Sequence, residues 1–146
     1  MSFAIDANLL VYASDASSKF HARAREFLRG CIAGPELVFL PWPTVTAYLR
    51  IATHASLFRA PLTHAEAAAN IDVLLSRPHV RTLGELDGFW EHYRGATDGV
   101  VVRGNLVPDA HLVALLVQHG VTTLCTHDRD FARFDAIRVR DPLSER

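Results

Sequence analysis

The chain has 146 residues, of which 49% are hydrophobic and 21% charged, with a formal net charge of −1. That length suits a single domain over residues 1–146, able to bury roughly 70% of its unfolded surface without help from disulfides or a structural metal. The composition excludes a disordered or membrane-spanning chain, and the near-zero charge excludes a global attraction to nucleic acid or acidic lipid, so any such contact must come from local clustering.

In chain order, Ser2 to Ile5 is a short apolar run that stops at Asp6, and it reads as a buried first strand ending in a polar loop. Phe20 to Ile32 carries Phe20, Ala24, Phe27, Leu28 and Cys31 at helical spacing, with arginines at 23, 25 and 29 opposite and Gly34-Pro35 as the stop. Leu37 to Leu40 reads as a second strand. Pro41-Trp42-Pro43 then opens a helix to about His54, with Pro43 in the first turn, where a missing N–H costs nothing. Thr63 followed by Glu66 is a capping-box pattern that starts a helix to about Leu75. Val80 to Leu83 reads as a short strand, and Glu85 to about Gly95 as a helix with Phe89, Trp90 and Tyr93 facing inward. Asp109 to His119 is the most clearly periodic helix, opened by Pro108 and closed by Gly120. Thr122 to Cys125 and Ile137 to Val139 complete the strands. Strands alternating with helices predict an α/β fold, three-layered α/β/α around a parallel sheet of four or five strands.

The two cysteines, Cys31 and Cys125, lie far apart in apolar surroundings with no zinc spacing, as expected of buried thiols in a reducing compartment. The amino-terminal stretch has no basic start, and Asp6 and Asn8 interrupt its apolar run, so a cytoplasmic location is expected.

Function in parallel sheets gathers beyond the C-terminal ends of the strands, and here those ends carry acids. Asp6 follows the first strand, Asp128 and Asp130 follow Thr122–Cys125, and Asp109 begins the helix leading into that strand. Taken singly, each has an ordinary role as a cap or as a dipole partner at a helix start. Taken together, carboxylates converging on one edge repel one another unless a divalent cation sits between them, and hard oxygen ligands select Mg²⁺ or Mn²⁺ over zinc. Such an ion activates water and neutralises a phosphoryl oxygen, which is what phosphodiester hydrolysis requires.

With those acids in view, the chain resembles the PIN-domain ribonucleases, and within them the VapC-like toxins of bacterial toxin–antitoxin pairs. The resemblance spans essentially the whole chain and rests on FAIDANLLVYA, WPTVTAYLRIATH, VPDAHLVALLVQHG and THDRDFARF, in that order. It implies a Mg²⁺- or Mn²⁺-dependent endoribonuclease acting on RNA, usually a homodimer, held inactive by a small cognate antitoxin. Carried over by motif, Asp6, Asp109 and Asp128 look like metal-binding catalytic acids, and Asn8, Arg50, Thr126 and Asp130 like supporting groups. One position departs from the pattern. Ala47 stands three residues before Arg50, where the family normally has a glutamate, and no Asp or Glu occurs from Leu37 to Ala65. The resemblance thus implies an activity impaired at this position, by deliberate inactivation or by natural degeneration. The alternative is a non-catalytic module that keeps the fold and binds antitoxin or RNA.

Other chemistries lack a basis. There is no GxGxxG or Gly-Lys-Ser/Thr phosphate loop and no HExxH, and the single lysine, Lys19, lies too early to serve a phosphoacceptor site. Trp42, Phe89 and Trp90 have the residue type for base stacking but fit core or interface roles better, and His127 reads as a solvated loop residue. Arg129, Arg133, Arg138 and Arg140 form a local basic cluster beside the acids, for which a solvated face is the ordinary reading and phosphate contact the alternative.

Overall fold

The computed structural model describes residues 1–144. Its core is a sheet of five strands, all pairing in parallel, in the order β3-β2-β1-β4-β5: β1 is Ser2–Ile5, β2 Leu37–Pro41, β3 Val80–Leu83, β4 Thr123–Cys125 and β5 Arg138–Arg140. The register pairs Ser2 with Leu37, Val38 with Val80, Ile5 with Cys125, and Cys125 with Arg140. The chain winds outward from β1 through β2 to β3, then returns to place β4 on the other side of β1. The reversal makes the gap beyond the C-terminal ends of β1 and β4 the topological switch point, where open parallel sheets bind ligands.

Alternation along the strands divides the core into two layers. Phe3 and Ile5 of β1, Val38 and Leu40 of β2 and Cys125 of β4 face a layer formed by α1 (Ala7–Ser14), α2 (His21–Ala33), α3 (Trp42–Ala52) and α4 (His64–Leu75). Ala4, Phe39 and Leu124 face the opposite layer, made of α5 (Phe89–Ala96) and α6 (Leu106–Gln118). Period-two alternation sends neighbouring residues to opposite faces, so one strand serves both helical layers. The three-layer arrangement and the strand count agree with the sequence.

Several local expectations are corrected. The polar loop after β1 is the start of a helix: Asp6 has extended backbone (φ −84°, ψ 153°), caps α1 and accepts from the Ala7 N–H. Leu9, Leu10 and Val11 are consecutive, and that continuous apolar run hides the helical period. α5 begins at Phe89, later than expected, because the Gln118 side chain bonds the Leu86 N–H and the Leu86 and Asp87 carbonyls, each at 2.9–3.0 Å, holding that segment as a turn. Trp90 does not face inward; it is 60% exposed and stacks on Tyr93 at 5.4 Å. The capping box of α4 forms as read, with Thr63 and Glu66 bonding each other's backbone N–H. α6 starts at Leu106, ahead of the Pro108 expected to open it, and ends at Gln118; Gly120 follows with a φ of +70°, which favours glycine. Among the described residues no helix is long and apolar enough to cross a membrane.

Candidate metal centre

The side chain at the middle of the switch point is Thr126, the residue after β4, which is 1% exposed. Its hydroxyl donates to Asp6 Oδ2 at 2.7 Å and accepts from Asn8 Nδ2 at 3.2 Å and from the Asp128 N–H at 3.0 Å. One buried hydroxyl therefore ties the end of β1, the first turn of α1 and the loop after β4 into a rigid unit. The backbone adds to it: Asp6 N–H bonds the Cys125 carbonyl at 3.0 Å and Thr126 N–H the Arg140 carbonyl at 2.9 Å. From α3, Thr44 donates to the Ile5 carbonyl at 2.8 Å, anchoring that helix against the same strand end.

The acids gather around this unit. Asp109 enters from the first turn of α6, while Asp128 and Asp130 flank the start of a 3₁₀ turn (Arg129–Arg133), where Asp128 Oδ1 accepts from the Asp130 N–H at 2.9 Å. Carboxylate oxygens of Asp109, Asp128 and Asp130 all lie within 4.8 Å of one another. Asp6 stands outside that trio but acts on it electrostatically. Burial first, and then the neighbouring charges of Asp128, Asp6 and Asp130, together raise the pKa of Asp109 to about 6. Asp6 is also shifted upward: burial outweighs the hydrogen bonds from Thr126 and Ala7, and the charge of Asp128 adds to it. The site is thus an excess of negative charge in a partly dry setting. Asn8 Oδ1 adds a buried oxygen without a hydrogen-bond partner among the described residues. Hard oxygen donors at this spacing, with raised carboxylate pKa values and a spare amide oxygen, fit a divalent cation of the Mg²⁺ or Mn²⁺ class.

Of the residues singled out from sequence, Asp6, Asn8, Asp109, Thr126, Asp128 and Asp130 come together here. Asp130, read as a supporting group, sits inside the tightest trio, though it is exposed and also lies 3.8 Å from Arg133. Arg50 is exposed in the last turn of α3, and the charges acting most on Asp109 are carboxylates. Ala47 is half-buried against the α1–α4 layer, one turn beyond Thr44 on the same helix face. Sequence reasoning missed Tyr12 and Asp141. Burial raises the Tyr12 pKa, and the charges of Asp128, Asp141 and Asp6 raise it too, so its phenol belongs to the same acidic surroundings. No spacing signal marks either residue; only the fold brings them to this edge.

An acid-lined switch point on a five-stranded parallel sheet defines a class, and the comparisons agree on which. A model of the PIN domain matches residues 3–137, and the chain belongs to the PIN-domain family. It is 51% identical over 144 residues to Ribonuclease VapC48 of Mycobacterium tuberculosis, covering 99% of both chains, and 33% identical over 139 residues to VapC ribonuclease Mb2897 of Mycobacterium bovis, covering 95% of this chain and 94% of that one. Among solved structures, the fold is similar to Mycobacterium tuberculosis VapC20, described as a sarcin-ricin loop cleaving toxin (TM-score 0.64, 18% identity, 93% of this chain and 98% of that one). It is also similar to a chain of VapBC2 from Rickettsia felis, bound to a promoter DNA fragment (TM-score 0.66, 14% identity, 97% and 98%).

Proposed function

We propose that this protein is a metal-dependent endoribonuclease toxin that hydrolyses RNA phosphodiester bonds and is neutralised by a cognate antitoxin. The observation that carries the chemistry is the Asp109–Asp128–Asp130 trio, with Asp6 beside it, at the switch point of the sheet. Asp6, Asp109 and Asp128 would hold the ion, Mg²⁺ or Mn²⁺, with Asp130 and Asn8 next to them. Bound there, such an ion supplies a Lewis acid for a phosphoryl oxygen and lowers the pKa of a coordinated water. The protein's own part is positional. Thr126 fixes Asp6 by its 2.7 Å bond, and the Asp130 N–H fixes Asp128, so the carboxylates are presented without reorganisation.

The likeness to toxin–antitoxin complexes supports the antitoxin. The acid-rich edge suits a partner with a basic segment, since a cation from a side chain relieves the same repulsion that a metal does. The family resemblance carries the homodimer, and exposed Trp42, Leu86, Trp90 and Val107 are apolar surface that such an interface could cover. Light scattering reads the oligomer directly, and a monomer at micromolar concentration contradicts it.

The decisive experiment incubates single-stranded RNA with the protein in Mn²⁺, in Mg²⁺ and with a chelator, alongside Asp109→Asn. Cleavage with metal only, lost in the variant, supports the reading. Binding without cleavage under all conditions favours the non-catalytic alternative that Ala47 keeps open.

A further inference from the structure

Beside the acids lies a second corner of different build. Tyr12 of α1, Phe20 just before α2 and His127 after β4 bring their rings together from three separate segments. The centroids are 5.1 Å apart for Tyr12 and Phe20, 4.5 Å for Phe20 and His127, and 6.0 Å for Tyr12 and His127. His127 sits between Thr126, which holds Asp6, and Asp128 of the acid trio, so this corner adjoins the metal centre. The imidazole is fixed in rotation. Its Nδ1 bonds Asp141 Oδ2 at 2.8 Å, and Asp141 in turn accepts from Ser144 Oγ at 2.7 Å and the Leu143 N–H at 3.0 Å. The other ring nitrogen has no protein partner among the described residues, and the His127 side chain keeps 28% of its surface exposed. The ammonium of Lys19 lies 5.1 Å from the Phe20 ring centroid.

A patch that merely joined loops would be served by aliphatic side chains. This one is aromatic, partly exposed, held by a buttressed carboxylate and flanked by a cation beside an acid-lined centre. We propose that Phe20 and His127, backed by Tyr12, form a nucleobase-stacking platform that positions single-stranded RNA at the acids, with Lys19 contacting a neighbouring phosphate. The proposal rests on the ribonuclease reading and extends it to how substrate is held. It also answers a difficulty in that reading. A chain of net charge −1 with an acidic centre repels a polyanion, so affinity must come from a source other than overall charge. Stacking is such a source, and it tolerates any sequence because every base has a π-face. These are positioning residues, set apart from the chemistry itself.

The test uses the full chain carrying Asp109→Asn, which removes a negative charge from the site and prevents cleavage during binding. Ten-nucleotide single-stranded RNAs, each with one 2-aminopurine at a successive position, are titrated and followed by fluorescence. One position is expected to be quenched on binding. Phe20→Leu should raise Kd roughly tenfold and abolish that quenching, while Phe20→Tyr keeps both. Lys19→Met should lower the slope of log K against log salt by about one, and it carries the test if the leucine variant fails to fold. In the chain with Asp109 intact, the loss in Phe20→Leu should fall on KM more than on kcat. Unchanged Kd and quenching in a folded Phe20→Leu, or an unchanged salt slope in Lys19→Met, overturns the platform. If cleavage persists without quenching, the platform falls and the ribonuclease stands; quenching without metal-dependent cleavage in the chain with Asp109 intact does the reverse.

Discussion

Asp109 and Asp141 are the same residue type at the same edge of the sheet, yet they are built into opposite situations. Around Asp141, burial pushes the pKa up but is outweighed by hydrogen bonds from Ser144, His127 and Leu143 and by the charge of His127, which leave it below the ordinary value. Around Asp109, burial and three neighbouring carboxylates act in one direction, to about 6. The first acid is satisfied by the protein and holds a ring in place. The second is left in want of positive charge, which folding alone does not supply. A carboxylate that the fold desolvates without pairing marks a place where a ligand is expected, and the contrast between the two separates a candidate ligand-binding acid from a structural one more sharply than exposure does.

The largest effect should come from the unsatisfied side. Asp109→Asn is expected to cut metal-dependent RNA cleavage by more than about a hundredfold, since even outer-shell partners of metal ligands are worth roughly 10–100-fold. Activity within a factor of a few of the parent would break the comparison. Next, Ala47→Glu adds a carboxylate to the helix face that carries Thr44 toward the end of β1, and it should raise cleavage by roughly tenfold or more. Parallel rate measurements check this, and equal rates mean that the acids already present suffice. On the satisfied side, Asp141→Ala should lower unfolding free energy by roughly 1–2 kcal/mol in denaturant titrations, because three donors lose a charged acceptor.

The smallest effect is a matter of sign. The folded pKa of Asp109, about 6, exceeds the value of about 3.9 expected in the unfolded chain. The folded state therefore binds the proton more tightly. The stability this group contributes is complete below pH of about 4 and is lost as pH rises to about 6. Asp141 acts in reverse: its contribution is present above its ordinary pKa and lost as pH falls through the depressed one. In chelator, melting scans from pH 4 to 7 should show a decline that Asp109→Asn flattens by about two to four degrees. A slope unaffected by the substitution would show that the acids do not repel one another as the geometry requires.

Much of this was readable in order along the chain. The apolar runs at residues 2–5 and 37–40, the capping box at Thr63 and the periodic helix before Gly120 declare themselves locally, because a strand, a cap and an amphipathic helix are each set by residues a few positions apart. Alternation of these elements then limits the fold to a parallel α/β sheet, and acids at strand ends mark which edge carries the chemistry. The family motifs placed Asp6, Asp109 and Asp128 together for the same reason. What the sequence left open depends on contacts between distant segments. The helix after Asp6 was hidden because a continuous apolar run has no period, and its cap is visible only once Asp6 is seen to accept from Ala7. The start of α5 was set by Gln118, about thirty residues further on, and the outward turn of Trp90 by which face of a short helix meets α6. Asp141 lies in no motif, and Tyr12, though inside the first, has no role marked by it; their roles arise where β4 returns beside β1 and the segment after β5 comes back toward α1. Local propensity is written in neighbouring residues, whereas burial, charge crowding and the pairing of a carboxylate with its donors are properties of the assembled fold, and only tertiary structure decided which acids were satisfied and which were left crowded by like charge.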